Sequence, residues 1–92
     1  MEKFSIDAFD VFFNAVLKLK SVDECRKFFE DVCTIKELQD VSQRLEVAQL
    51  LKDGKNYQEV SKITGASTAT ISRVNKCLNF GSGGYNLVIS KK

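Results

Sequence analysis

The sequence predicts an all-α fold that ends in a helix-turn-helix, and three observations carry this prediction. The chain of 92 residues contains no proline, and 43% of it is apolar. Its apolar residues recur at the three- and four-residue intervals of amphipathic helices. Capping residues followed three positions later by glutamate mark several helix starts. This length and composition fit one small domain rather than a disordered or collagen-like chain.

The first predicted helix runs from Ser5 to Lys20 and is apolar around most of its circumference. Its polar residues form one narrow stripe, made of Asp7, Asp10, Asn14 and Lys18. Its apolar residues are Ile6, Phe9, Val11, Phe12, Phe13, Val16, Leu17 and Leu19. One small chain cannot bury so large an apolar surface, so we expect a second chain to cover it in an intertwined homodimer. The alternative is the central core helix of a monomer.

Two capping boxes divide the middle of the chain. Ser21 with Glu24 starts the second helix, and Thr34 with Glu37 starts a short third one. The predicted inward face of the second helix is Val22, Cys25, Phe28, Phe29 and Val32. The third helix continues through Leu38 and Val41.

A fourth helix is predicted from about Gln43 to Asp53. It ends at Gly54, because glycine is a favoured C-terminal cap. The residues that we expect it to bury are Leu45, Ala48 and Leu51.

The stretch from Asn56 to Leu78, NYQEVSKITGASTATISRVNKCL, has the pattern of a helix-turn-helix. Asn56 and Glu59 form a capping box at the start of its first helix, whose Val60 and Ile63 face inward. Gly65 provides the turn, since a tight corner needs a residue that tolerates positive φ. Ser67 caps the second helix, whose inward residues are Ile71, Val74 and Leu78.

The opposite face of that second helix suits double-stranded DNA. Short side chains let a helix approach base edges closely, while basic side chains reach phosphates. We predict DNA contacts from Tyr57, Gln58, Ser67, Thr68, Ala69, Thr70, Ser72, Arg73 and Lys76. An ordinary helical hairpin with a glycine corner and a polar surface is the alternative.

The charge distribution supports the DNA interpretation. Residues 1–43 hold six Lys/Arg and nine Asp/Glu, a net charge of −3, whereas residues 44–92 hold eight and three, a net charge of +5. Removing the terminal Lys91 and Lys92 still leaves +3 in the second half. Phosphate binding requires a basic half of this kind at the reading unit.

Other classes of function find little support in the sequence. Cys25, Cys33 and Cys77 are odd in number, lack metal-ligand spacing and have no histidine beside them. We therefore expect buried thiols, without a disulfide, a metal site or a cofactor. Without histidine, phosphate loop or paired carboxylates the chain is not expected to be an enzyme. It shows neither a signal peptide nor a membrane span, so we expect a cytoplasmic protein.

The organisation that we predict is one domain over residues 1–92. Residues 1–53 form the dimerisation helices, residues 56–79 the helix-turn-helix, and residues 81–92 a flexible tail that begins with GSGG. The apolar part of the tail, Tyr85 to Ile89, is compatible with a short helix, an arm on the partner chain, or disorder.

Up to about Gly84 the chain resembles the Trp repressor superfamily. The run TGASTATISRVNKCL and the closing GSGGY are similar to its YerC/YecD branch. This resemblance implies a six-helix fold, an intertwined dimer, and a DNA-reading head made of the last two helices.

The resemblance also implies an effector pocket. In this family two arginines enclose the indole of tryptophan, and Arg44 and Arg73 match them, while Thr34 matches a threonine that lines the pocket. Val74 and Cys77 stand where the family has a glycine and a serine. Valine fills space that the ligand needs, and a thiol is a weaker partner for an ammonium group, so we do not expect tryptophan to act here. Surface ion pairing or phosphate contact is the alternative role of the two arginines.

Two classes of function follow. The first is a sequence-specific DNA-binding transcriptional regulator, a repressor, that acts as a homodimer. The alternative is a protein-interaction module that keeps the same fold and binds another polypeptide through the GSGGY tail or the acidic half. Salt-dependent binding to DNA distinguishes them.

Overall fold

The computed structural model describes residues 6–90, with the side chain of Ile6 excepted, and Ser5, Lys91 and Lys92 lie outside the described part. The described residues form six α-helices and no strand, which confirms the all-α, six-helix prediction. The helices are α1 (Ile6–Val16), α2 (Val22–Val32), α3 (Ile35–Lys52), α4 (Tyr57–Thr64), α5 (Thr68–Phe80) and α6 (Gly84–Val88). Among residues 6–90 no helix is both long and apolar enough to cross a lipid bilayer.

The chain divides into two compact units, residues 1–35 and residues 36–92. The sequence predicted a boundary near residues 53–56, so that α3 would belong with the N-terminal helices. The division falls earlier because α3 contributes Val47 and Ala48 to the core of the second unit.

In the first unit, helix α2 begins as predicted. The Ser21 hydroxyl accepts the backbone N–H of Glu24 at 3.0 Å, and the Glu24 carboxylate accepts the N–H of Lys20 at 2.8 Å. Helix α1 is shorter than predicted and ends at Val16. The chain tightens there into bonds that span three residues, from Leu19 N–H to the Val16 carbonyl, and these stop an α-helix.

The apolar side chains of the first unit form an aromatic cluster without a buried centre. The Phe12 ring lies 6.0 Å from Phe28 and 6.4 Å from Phe29, between ring centroids. No side chain from residue 7 to residue 35 is fully buried. The predicted inward face of α2 is half-buried at the two phenylalanines, but Val22 and Val32 are 75% and 51% exposed.

The third and fourth predicted helices are one continuous helix, α3, which corrects the sequence prediction. Neither glycine nor proline lies between residues 35 and 52, so nothing interrupts the backbone bonds near Ser42. Ala48 is buried as predicted, but Leu45, which was also predicted to be buried, is 42% exposed, and Val47 is buried instead.

Helix α3 ends at the glycine that the sequence identified. Gly54 has a φ of +92°, in the left-handed region. Its N–H donates to the Leu51 carbonyl at 3.1 Å, and the N–H of Lys55 donates to the Leu50 carbonyl at 3.0 Å. This pair of bonds is a Schellman cap, which satisfies the last carbonyls of the helix.

The second unit has a buried apolar core between α3, α4 and α5. Its buried members are Val47, Ala48, Val60, Ala66, Ile71 and Val74, and Leu50, Leu51, Tyr85 and Ile89 pack against them. The inward positions predicted for Val60, Ile71 and Val74 are confirmed. Ile63 was predicted to face inward but is 54% exposed, and Ala66 in the following turn is buried instead.

The C-terminal segment adopts the short helix, one of the three conformations that the sequence left open. Helix α6 covers Gly84–Val88, so these residues are not the flexible tail that was expected. The Gln49 side chain of α3 holds Ser90, which lies two residues after the end of α6: the Gln49 amide N–H donates to the Ser90 carbonyl at 3.0 Å and the Gln49 oxygen accepts the Ser90 N–H at 2.9 Å. The two helices predicted to read DNA are therefore the fourth and fifth, not the last two.

Candidate nucleic-acid interface

Helix α4 is fixed at its start by the predicted capping box. The Asn56 side chain accepts the N–H of Glu59 at 2.9 Å, and the Glu59 carboxylate accepts the N–H of Asn56 at 3.0 Å. Tyr57 and Gln58 follow in the first turn, and both side chains are exposed. The box therefore presents these two predicted DNA contacts on a well-defined helix start.

The turn between α4 and α5 is held by side chains as well as by its glycine. Gly65 has a φ of +76° and donates its N–H to the Ser61 carbonyl at 2.8 Å. The Thr64 hydroxyl donates to the Val60 carbonyl at 2.7 Å and accepts the N–H of Ala66 at 3.1 Å. The Ser61 hydroxyl donates to the Ala66 carbonyl at 2.9 Å. These bonds fix the direction in which α5 leaves the turn.

Helix α5 is capped by Ser67, as predicted, and the cap involves Thr70 twice. The Ser67 oxygen accepts the N–H of Thr70 at 3.1 Å and its hydroxyl donates to the Thr70 oxygen at 3.1 Å. Thr70 is half-buried, whereas its neighbours in the first turn are exposed. Thr70 is therefore less exposed than the other predicted contacts on α5.

The outer face of α5 is small, polar and basic. Ile71 and Val74 are buried on the inner side of the helix. The exposed predicted contacts are Thr68, Ala69, Ser72, Arg73 and Lys76. No acidic residue lies anywhere in α5, so nothing on this helix repels a phosphate backbone. A helix of this kind can enter the major groove, with hydroxyls and a methyl group near base edges and cations near phosphates.

Part of the predicted effector pocket lies between α3 and α5. Arg44 and Arg73 line a polar cavity of about 310 Å³, which we call the polar cleft. Its remaining lining residues are Lys36, Asp40, Gln43 and Thr70. Three of these, Lys36, Asp40 and Gln43, were missed in the sequence, although their spacing of four and three residues places them on one face of α3.

The other predicted pocket residues lie elsewhere. Val74 is 1% exposed in the core and is not among the residues that line the polar cleft. Cys77 is exposed rather than buried as predicted, because its flank of α5 opens onto a second cavity of about 510 Å³ that is mainly apolar. Arg44 also lines this apolar cavity, together with Leu45 and Tyr85. Thr34 belongs to the first compact unit.

Two hydrogen-bonded contacts shape the polar cleft. The Lys36 ammonium lies 2.8 and 3.0 Å from the two carboxylate oxygens of Asp40, one turn along α3. The Gln43 amide donates to the Thr64 carbonyl at 3.1 Å, which ties α3 to the end of α4. The Lys36–Asp40 pair therefore adds no net charge to the cleft, and its net positive charge comes from Arg44 on α3 and Arg73 on α5.

Comparison with known proteins gives consistent results. Residues 7–92 match the family described as Trp repressor protein. The uncharacterized protein YerC of Bacillus subtilis is 50% identical over 82 residues, which are 89% of this chain and 79% of YerC. A TrpR-like protein from Eubacterium eligens has a crystal structure with a TM-score of 0.87 and 47% identity, covering 92% of this chain and 94% of that one. A Staphylococcus aureus structure of the same fold has a TM-score of 0.88 and 42% identity, covering 94% and 91%.

Proposed function

Because the chain belongs to the Trp repressor protein family, a family of DNA-binding regulators and not of enzymes, we propose that it is a transcriptional repressor. In this proposal a homodimer binds double-stranded DNA, and α4 and α5 act as a helix-turn-helix with α5 in the major groove. The observation that carries the proposal is the outer face of α5, which is exposed, basic and without an acidic residue. Because a bacterial chromosome lies in the cytoplasm, we expect this regulator to be a cytoplasmic protein.

The homodimer is supported by the apolar surface of the first unit. Eight large apolar side chains of residues 7–35 are exposed in the single chain: Phe9, Val11, Phe12, Phe13, Leu17, Val22, Val32 and Ile35. A monomer rarely exposes so many clustered apolar residues, and a second copy of the chain would cover them. A dimer also places two reading helices on one DNA, so its operator would have two related half-sites.

The direct test is selection of bound fragments from random double-stranded DNA, followed by affinity measurements at several salt concentrations. We expect an enriched sequence with two related half-sites and an affinity that falls steeply with salt. A folded protein that retains no DNA even at low salt would refute the proposal. It would instead favour the protein-interaction alternative.

Two variants of α5 separate the roles that we assign to its outer face. Lys76→Ala should weaken binding to all sequences alike and lower the salt slope by about one unit, since it removes one phosphate contact. Ser72→Ala should instead relax the preference for one base pair while the slope stays constant. Lys18→Ala, which removes an exposed lysine after the end of α1, is the matched control and should change neither quantity.

A further inference from the structure

The polar cleft contains two positive charges that no other described residue compensates. Within residues 6–90 neither Arg44 nor Arg73 has an ion pair or a side-chain hydrogen bond. Asp40, the one carboxylate of the cleft, is bound through both oxygens by Lys36. Arg44 is also half-buried, which removes part of its hydration without supplying a protein partner.

From this arrangement we propose that the polar cleft binds a phosphate group. Each guanidinium presents a fork of donors that fits two oxygens of one anion. A carboxylate has two oxygens and one charge, so it satisfies one arginine and leaves the other uncompensated. A phosphate monoester has three terminal oxygens and carries about −1.5 to −2 charges at neutral pH, which matches two arginines. The half-buried Thr70 hydroxyl lies beside them as a further donor.

The cleft has room for a phosphate that is attached to a larger molecule. The cavity of about 310 Å³ lies at the lower end of the volumes of small-molecule sites, about 300–1,000 Å³, and exceeds what one phosphate needs. Two sources share this chemistry: a small phosphorylated compound and the backbone of bound DNA. In both cases the phosphate joins α3 to α5 and neutralises Arg73 on the reading helix.

The first experiment uses the full chain without DNA, so its outcome does not depend on the proposed function. The protein is titrated with inorganic phosphate at constant ionic strength, and the backbone amide resonances are followed. We expect saturable shifts at residues 36–44 and 68–74, and at least about tenfold weaker binding of acetate, since acetate cannot serve both arginines. Shifts that do not saturate, or equal binding of acetate, would overturn the proposal.

Variants then locate the site. Arg44→Gln should weaken phosphate binding by about tenfold or more, because it removes one of the two forks. Arg26→Gln removes the same charge from α2, where Arg26 pairs on the surface with Asp23, and should have no effect. Thr70→Val keeps the side-chain shape and should weaken binding by a smaller factor, so it provides an independent test if Arg44→Gln is poorly folded. Undiminished phosphate binding by both folded variants contradicts the assignment.

A second experiment distinguishes the two sources with DNA selected as above. If DNA supplies the phosphate, Arg44→Gln lowers the salt slope of DNA binding by about one unit and inorganic phosphate competes with DNA. If a free compound supplies it, Arg44→Gln leaves the salt slope of DNA binding unchanged, while phosphate binding in the absence of DNA is still weakened.

Discussion

Six apolar side chains are buried among residues 36–90, whereas none of the side chains from residue 7 to residue 35 is fully buried. Both segments are rich in apolar residues, so composition does not explain the difference. In the second unit a glycine cap and a glycine turn reverse the chain twice within about a dozen residues, which brings α3, α4 and α5 together. The first unit consists of two short helices, and two helices cannot enclose a core.

This contrast indicates how each part of the molecule becomes stable. In the second unit the buried apolar residues pack against one another, so this unit has a core of its own. The first unit has an aromatic cluster whose outer side faces solvent, and this is the surface that the proposed homodimer would cover.

The largest effect is expected for Phe12→Asp in the aromatic cluster. Loss of a packed phenylalanine costs about 3–5 kcal/mol, and a carboxylate placed in an apolar interface adds a desolvation cost. Because total stability is about 5–15 kcal/mol, we expect unfolding rather than folded monomers. Sedimentation measures the oligomeric state of the variant, and circular dichroism measures its helix content.

Asn14→Asp is the control, because it adds the same charge at an exposed position of α1 and should leave a folded dimer. A compact, folded Phe12→Asp monomer would contradict the intertwined dimer.

The next effect concerns the core of the second unit. Ile71 is fully buried, so Ile71→Ala should lower the free energy of unfolding by about 3 kcal/mol, as expected for a cavity left by an aliphatic side chain. Ile63→Ala removes the same atoms from an exposed site and should cost about 0.5 kcal/mol or less. Urea denaturation at one protein concentration compares the two variants. Equal losses would show that Ile63 is buried in the assembled protein.

A smaller effect is expected at the helix caps, where the two units should behave alike. Ser21→Ala in the first unit and Asn56→Ala in the second each remove an acceptor for a backbone N–H. Each should cost about 1 kcal/mol, because capping is a local interaction that does not depend on the surrounding core. Thermal unfolding of both variants at equal concentration measures this. A cost of several kcal/mol at only one of the caps would be inconsistent with a purely local role.

The smallest effect is the heat expected on adding tryptophan, which we propose is not an effector. Val74 is part of the core and Cys77 replaces a hydroxyl partner, so titration calorimetry should show no saturable heat up to about 1 mM, a limit of roughly −4 kcal/mol. The double variant Val74→Gly with Cys77→Ser restores the glycine and the serine that the family has at these positions, so it should bind tryptophan better than the unaltered protein. Tight binding by the unaltered protein, lost in Arg44→Ala, would establish a tryptophan-responsive regulator instead.

The features that the sequence predicted correctly are mainly local. The capping box of Asn56 and Glu59, the Ser67 cap, and the glycines at positions 54 and 65 depend on hydrogen bonds between residues within five positions of each other. Such bonds are present or absent according to the neighbouring residues, so a short segment of sequence is enough to predict them. Helical periodicity, which is also a property of a short segment, correctly predicted that Val60, Ile71 and Val74 lie in the core.

The features that the sequence left open or predicted wrongly depend on contacts between distant segments. The burial of Val47 in place of the predicted Leu45 depends on how α3 packs on α4 and α5. The short α6 is held by Gln49, which is 41 residues away from Ser90. The polar cleft combines Lys36 and Arg44 with Thr70 and Arg73, a proximity that no periodicity within one helix encodes. Short segments of sequence were therefore enough to predict the starts of α2, α4 and α5 and the glycine cap of α3. The placement of Arg44 and Arg73 in one cleft could not be predicted in this way, because only folding brings side chains of different helices together.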